Sequence, residues 1–258
     1  MPDPRRLAGA AALALVWLSR LPVGRWLPDP PPSLAAAVWA FPLAGIVIGA
    51  LGAGAYALAA MCGLPPAVAA ILAVGAQVLA TGGLHEDGLA DFADGMGGTS
   101  IQQRLQIMRD SRIGSYGALT LGLVTALRIA ALAALPLGGA IAALIVGGAL
   151  SRAGLVVALR LMPPARPDGL GRQGGRPATL QVVAALAIGL LAGIIAVLSG
   201  YYGGFITLFL ALAALAAVQF RLGGLARLRL GGQTGDVLGA LQQAGETAML
   251  TILAARLS

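Results

Sequence analysis

Residues 34–61, LAAAVWAFPLAGIVIGALGAGAYALAAM, carry not one charged side chain. A helix needs about 20 apolar residues to cross the hydrocarbon core of a bilayer, and this run exceeds that length. Five more runs resemble it: Ala67 to Leu84, Tyr116 to Leu135, Ala140 to Leu159, Leu180 to Leu198 and Phe205 to Phe220. A seventh, Val237 to Leu257, contains Gln242, Gln243 and Glu246, so it either spans facing the bundle interior or lies at the surface. Leu7 to Leu18, after a basic start, imitates a signal peptide, but Ser19 to Val23 offer no small-x-small cleavage site. It reads as a retained interfacial or re-entrant helix. The expected fold is therefore all-α: a polytopic membrane bundle of six to seven transmembrane helices plus that N-terminal helix, forming one domain over residues 1–258.

Composition agrees. Of 258 residues 58% are hydrophobic and 10% charged, and the mean hydropathy is +0.87, which excludes disorder and leaves too few polar side chains to cover a soluble globule. All 17 basic residues are arginine, giving a net charge of +7. They are spread over several loops with few aromatics between them, so nucleic acid is not an expected partner. The single Cys62 excludes an intrachain disulfide and a cysteine zinc cluster.

Charge sorts the connections. Those at Cys62 to Pro66, Pro136 to Gly139 and Ser199 to Gly204 carry none. Arg128 and Arg152 lie inside apolar runs and Arg256 at the C-terminus, leaving the other 14 of the 17 arginines for the remaining segments. The positive-inside rule then places the N-terminus and the loops 85–115, 160–179 and 221–235 in the cytoplasm.

The strongest chemical signal lies on that side. Only ten acidic residues exist, and Glu86, Asp87, Asp91, Asp94 and Asp110 account for half of them. At 100° per residue Asp87, Asp91 and Asp94 fall within about 60° of one another on a helix, whereas Glu86 falls off that face and reads as a solvated side chain. Three carboxylates side by side call for a cation or a proton, and oxygen ligands without cysteine suit Mg²⁺ or Mn²⁺. His85, the only histidine, is a ligand, a substrate contact or a general base. Close by, Arg104, Arg109 and Arg112 offer guanidinium forks for phosphate. Near Ser111, the start of the next span at Gly114 and Ser115 offers backbone N–H groups to an anion. Carboxylates with a metal, facing arginines, would bind a diphosphate. Further candidates are Arg166 and Asp168 in a turn-rich loop, Thr234 and Asp236 after Gly231-Gly232, and Arg152, expected to face the site. Asp236 also suits a helix N-cap, and Arg128 a structural partner.

The runs Gly82-Gly83-Leu84-His85-Glu86-Asp87-Gly88-Leu89-Ala90-Asp91, Ile107-Met108-Arg109-Asp110-Ser111-Arg112-Ile113-Gly114 and Gly231-Gly232-Gln233-Thr234-Gly235-Asp236 resemble the cobalamin synthase family, the adenosylcobinamide-GDP ribazoletransferases. Ser19 to Val23, Phe41-Pro42-Leu43, Ser151-Arg152 and Gly245-Glu246 match as well, whereas Glu86 stands where the family usually has an apolar residue. The resemblance implies a Mg²⁺-dependent integral membrane transferase of the inner membrane, working in cobalamin biosynthesis from the cytoplasmic side. Its substrates would be adenosylcobinamide-GDP and α-ribazole or α-ribazole 5′-phosphate, its products GMP and adenosylcobalamin or its phosphate. On this reading Asp87, Asp91 and Asp94 hold the metal, and His85 or one of these aspartates is the base. Arg104, Arg109, Asp110, Ser111, Arg112, Arg152, Arg166, Asp168, Thr234 and Asp236 bind substrate. Membrane lipid is the expected surrounding, and homo-oligomerisation is left open. The rivals are a CDP-alcohol-type membrane phosphotransferase and a divalent cation transporter. The segments 109–112 and 231–236 favour the corrinoid reading.

Overall fold

Helices account for the fold. The computed structural model describes residues 4–166, 172 and 175–257. In chain order the helices are α1 (Pro4–Leu18), the short α2 (Leu34–Ala37), α3 (Phe41–Met61), α4 (Pro66–Thr81), α5 (Leu84–Gly95), α6 (Ile101–Ile107), α7 (Ser115–Ala134), α8 (Leu137–Leu161), α9 (Thr179–Leu198), α10 (Phe205–Leu230) and α11 (Gly235–Leu257). Among the described residues the only β pairing is an isolated bridge between Pro164 and Gln233.

Five segments are long and apolar enough to cross a membrane: Leu34–Met61, Ser115–Ala134, Leu137–Leu161, Thr179–Leu198 and Phe205–Leu230. The expected span Ala67 to Leu84 differs. α4 satisfies the criterion only together with α5, and the two meet at 90°. The break is local chemistry: Gly82 and Gly83 both adopt left-handed backbone, with φ of 69° and 72°, which a side-chain-bearing residue enters only at a cost. One further expectation is corrected. α10 runs on to Leu230, so Arg221, Arg227 and Arg229 of the expected loop 221–235 are helical. α11, expected either to span facing the interior or to lie at the surface, is not among the apolar spans, and much of it is buried, Gln242, Gln243 and Glu246 included.

α8 is the central helix, with 78% of its most apolar window buried against 22% for α7, α9 and α10. Leu119, Leu123, Leu180, Leu198, Phe205 and Phe209 are accordingly exposed, which in a bilayer is contact with lipid. α3 packs most extensively on α8, and glycine permits it. A Cβ on Gly45 would fall on the carbonyl of Gly148, and one on Gly49 on the backbone of Leu144 and Ile145. The helices therefore meet backbone to backbone, as small residues allow in membranes.

Candidate functional site

The 90° break at Gly82 and Gly83 turns α5 between α7 and α11. α5 can lie against α11 because both surfaces are glycine at the crossing. A Cβ on Gly88 would come within 2.9 Å of Asp236 Cα, and one on Gly239 within 3.0 Å of the His85 carbonyl oxygen. Asp236 in the first turn of α11 is thereby brought to the acidic face of α5. Asp91 lies in the field of Asp87, Asp236 and Asp94, with Arg166 as the opposing charge.

Arg166 reaches this place through the loop after α8. Gln233 N–H donates to the Pro163 carbonyl at 2.8 Å, and Ala165 N–H to the Gln233 carbonyl at 2.9 Å. Gly232 has no room for a Cβ beside the Pro163 carbonyl. So held, Arg166 donates to the Leu105 carbonyl at 2.9 Å and lies 3.7 Å from the Asp236 carboxylate. Burial pushes the Asp236 carboxyl above the usual carboxylate range, against the pull of Arg166 and a hydrogen bond from Thr234. The cap of α11 is Thr234, whose hydroxyl accepts Val237 N–H at 3.2 Å and donates to Asp236 at 3.2 Å.

An open cleft of about 650 Å³ lies at the break. Asp87 and Asp91 lie on its wall together with Ser111 and Ile113 from the segment before α7, and with Ser19, Arg20 and Trp17 from the end of α1 and just beyond. Two aspartates and Ser111 of the expected set therefore meet here.

Other expected residues do not. Asp94 shares the face of Asp87 and Asp91, but its carboxylate accepts Gly114 N–H at 2.7 Å and Gly117 N–H at 2.8 Å. The anion at the N-terminus of α7 is thus the chain's own Asp94, and the backbone donors expected to meet substrate are taken. A Cβ at either glycine would fall on this carboxylate. Among the described residues no three His, Cys, Asp or Glu side chains converge closely enough to hold one metal ion, so the expected three-aspartate ligand set is not assembled. Arg104 is buried, with its guanidinium 3.4 Å from the Arg229 carbonyl. Arg112, exposed, pairs with Asp110 at 2.7 Å; hydrogen bonds from the side chain and the backbone of Arg112 hold the Asp110 carboxyl below its ordinary range. Arg109 is exposed on the same segment and, like Arg112, is not part of the cleft wall. Asp168 lies outside the described residues.

A second polar cluster lies within the bundle. Arg128 donates to Gln243 at 2.6 Å, Gln77 at 2.9 Å and Glu246 at 2.9 Å. Glu86, expected to be solvated, lies 3.5 Å from Arg128 and accepts from Gln243 at 2.8 Å, tying α5 to α7 and α11. Glu246 also accepts from Ser151 at 3.1 Å and from Gln242. Arg152, expected to face the site, instead donates to the Gly148 carbonyl at 3.1 Å and lies 3.9 Å from Glu246. In hydrocarbon, polar groups persist when paired with one another, and Arg128 is the structural partner the sequence predicts. His85 is buried, neither ring nitrogen has a hydrogen-bond partner among the described residues, and it lines a separate cavity of about 50 Å³ with Trp17, Phe41 and Leu155.

Fold and site together define a polytopic helical membrane protein with a carboxylate-lined polar cleft where a glycine pair breaks one crossing. The family profile described as cobalamin-5-phosphate synthase matches residues 10–254, and the chain belongs to that family. A protein of Bradyrhizobium diazoefficiens called adenosylcobinamide-GDP ribazoletransferase is 42% identical over 254 residues, covering 97% of this chain and 95% of its own. Like-named proteins of Mesorhizobium japonicum and Brucella anthropi are 42% identical over 261 and 250 residues. These alignments cover 99% and 95% of this chain, and 96% and 95% of theirs. No solved structure matches the chain.

Proposed function

We propose that this chain joins adenosylcobinamide-GDP to α-ribazole or its 5′-phosphate, forming adenosylcobalamin or its phosphate and releasing GMP. The observation that carries the reading is the cleft, whose wall holds Asp87 and Asp91, in a chain 42% identical to proteins named for that transfer. A ribose hydroxyl of ribazole attacks the cobinamide-side phosphorus, the bond to the GMP oxygen breaks, and GMP departs with the electron pair. Such a transfer asks for positioning and charge neutralisation more than for covalent help from protein.

Mg²⁺ suits the donor set. Asp87 and Asp91 present hard carboxylate oxygens to an open cleft, and Mg²⁺ is commonly held by one or two carboxylates plus substrate phosphates, without an all-protein cage. Asp87 and Asp91 would hold it, with Asp236 adjacent and Asp94 orienting α7. Bound there, Mg²⁺ would offset the charge of the phosphate oxygens as the bond to GMP breaks. The ribose proton would pass to a carboxylate oxygen of Asp87 or Asp91 that is not turned to the metal, since each carboxylate has two; His85, in its separate cavity, packs the bundle. The membrane is the inner membrane, with the cleft on the cytoplasmic side, because the arginine-bearing segments lie at that end and the connections 62–65, 135–136 and 199–204 carry no charge.

The test is to incubate the purified protein with adenosylcobinamide-GDP and α-ribazole, in Mg²⁺ or in EDTA, and to quantify GMP. Metal-dependent GMP is expected; its absence with every divalent ion overturns the reading. Asp91→Asn should lower GMP release at least 100-fold with an unchanged Tm, and wild-type turnover in that variant refutes the role given to Asp91.

A further inference from the structure

The cleft needs positive charge that the expected arginines do not bring to its wall. Two carboxylates facing a diphosphate repel it, and Arg104 and Arg166 donate to backbone carbonyls while Arg112 holds Asp110. On the wall with Asp87 and Asp91 stands a different arginine, Arg20. We infer that Arg20 binds a phosphate of the diphosphate ester in the cleft that Asp87 and Asp91 also line. This rests on the proposed function and assigns part of its substrate binding.

Three observations support it. First, the backbone at Arg20 is anchored to the break itself. Arg20 N–H donates to the Ala80 carbonyl at 2.7 Å. Ser19 Oγ donates to the Leu15 carbonyl at 2.6 Å and accepts Leu21 N–H at 3.3 Å, so the residue leaves α1 in a fixed direction. Second, its side chain crosses the bare backbone of Gly82: a Cβ there would fall on Nε, Cδ and Cζ of Arg20. Gly82 thus serves twice, as the left-handed break of α4 and as the floor under the guanidinium stem. Third, Arg20 is exposed, and among the described residues its guanidinium has no hydrogen bond or ion pair. Five N–H donors in a planar fork, unused and opening on a cleft, match phosphate oxygens.

The test compares wild type with Arg20→Gln, Arg20→Lys and Gly82→Ala. A charged hydrogen bond of ordinary strength corresponds to about a ten- to hundredfold change. Arg20→Gln should therefore raise KM for adenosylcobinamide-GDP by about that factor and leave KM for unphosphorylated α-ribazole unchanged. Arg20→Lys, which keeps the charge and loses the fork, should fall between, and Gly82→Ala, which displaces the stem and also strains the left-handed break, should raise the same KM and lower kcat as well. Separately, inorganic pyrophosphate should raise the Tm of the wild type through binding to the folded state and should fail to raise that of Arg20→Gln. Equal pyrophosphate shifts in the two proteins, or KM rises of similar size for both substrates, overturn the inference. Arg20-dependent pyrophosphate binding in a wild type that releases no GMP would keep the inference and remove the function proposed above.

Discussion

Replacement of Glu246 by alanine tests whether the buried polar cluster holds the bundle together. Glu246 is 1% exposed and is the carboxylate that faces both interior arginines, at 2.9 Å from Arg128 and 3.9 Å from Arg152. The group is balanced as it stands, with Glu86 and Glu246 against Arg128 and Arg152. Removing Glu246 leaves one uncompensated positive charge, strips Ser151 and Gln242 of an acceptor, and leaves Arg152 with the Gly148 carbonyl. Breaking a buried pair from one side costs about 3–5 kcal/mol. At about 2–4 °C per kcal/mol for a chain of this size, Tm should fall by roughly 6–20 °C. Glu246→Gln keeps an acceptor for Arg128, and Glu86 remains within 3.5 Å of it, so its cost should be about 1–2 kcal/mol, the difference between a charged and a neutral hydrogen bond. The assay is thermal unfolding in lipid nanodiscs followed by tryptophan fluorescence, with Arg128→Met and the double variant completing a cycle. Partners in contact should show coupling on the order of 0.5–3 kcal/mol. A Tm of Glu246→Ala within about 2 °C of wild type, well short of the drop worked above, or strict additivity in the cycle, would refute the reasoning.

Other expectations concern the acidic helix. Gly88→Ala places a methyl 2.9 Å from Asp236 Cα and O and should lower Tm by an overpacking cost of about 1–3 kcal/mol while reducing GMP release; unchanged values of both would show that α5 and α11 part freely. Asp94→Ala removes both bonds to the N-terminus of α7 and should cost about 0.5–2 kcal/mol, the ordinary worth of a cap; Asp94→Ser, which restores an acceptor, should recover part of the lost Tm. Because burial raises the carboxyl of Asp236 above its unfolded value, the folded state holds the proton more tightly. Its stabilising effect is full below about pH 4 and is lost as pH rises through the folded value. The Tm difference between Asp236→Asn and wild type should therefore grow in favour of the variant from pH 4 to pH 7, and a difference that shrinks would contradict the burial argument.

Much of the architecture is legible as hydropathy. Long uncharged runs must be helical in lipid, since no water there satisfies a free peptide group, and five of the expected runs coincide with spanning segments to within a few residues, save for the C-terminal extension of α10. The placing of Asp87 and Asp91 on one face followed from helical periodicity alone. The run at 67–84 went differently because Gly82 and Gly83 end α4 in left-handed backbone, a change of direction that a count of apolar residues does not register. Glu86 looked solvated because its partners, Arg128 and Gln243, are more than forty residues and more than a hundred and fifty residues away along the chain. Arg20 carried a signal, its place in a run matching the family, but no neighbour in sequence indicates that it meets Asp87 and Asp91.

By itself the sequence determined that this chain is a helical membrane protein, which segments are apolar enough to cross, and that its acidic residues gather after one of them. Those properties depend on composition and on the 3.6-residue period, both of which are local. Which charges neutralise one another was decided only by tertiary structure: Asp94 with the amides of α7, Glu86 and Glu246 with Arg128, Asp236 beside Arg166, and Arg20 over Gly82 at the open cleft. A pairing between groups acts over a few ångströms, and only the packed helices bring residues from opposite ends of the chain within that range.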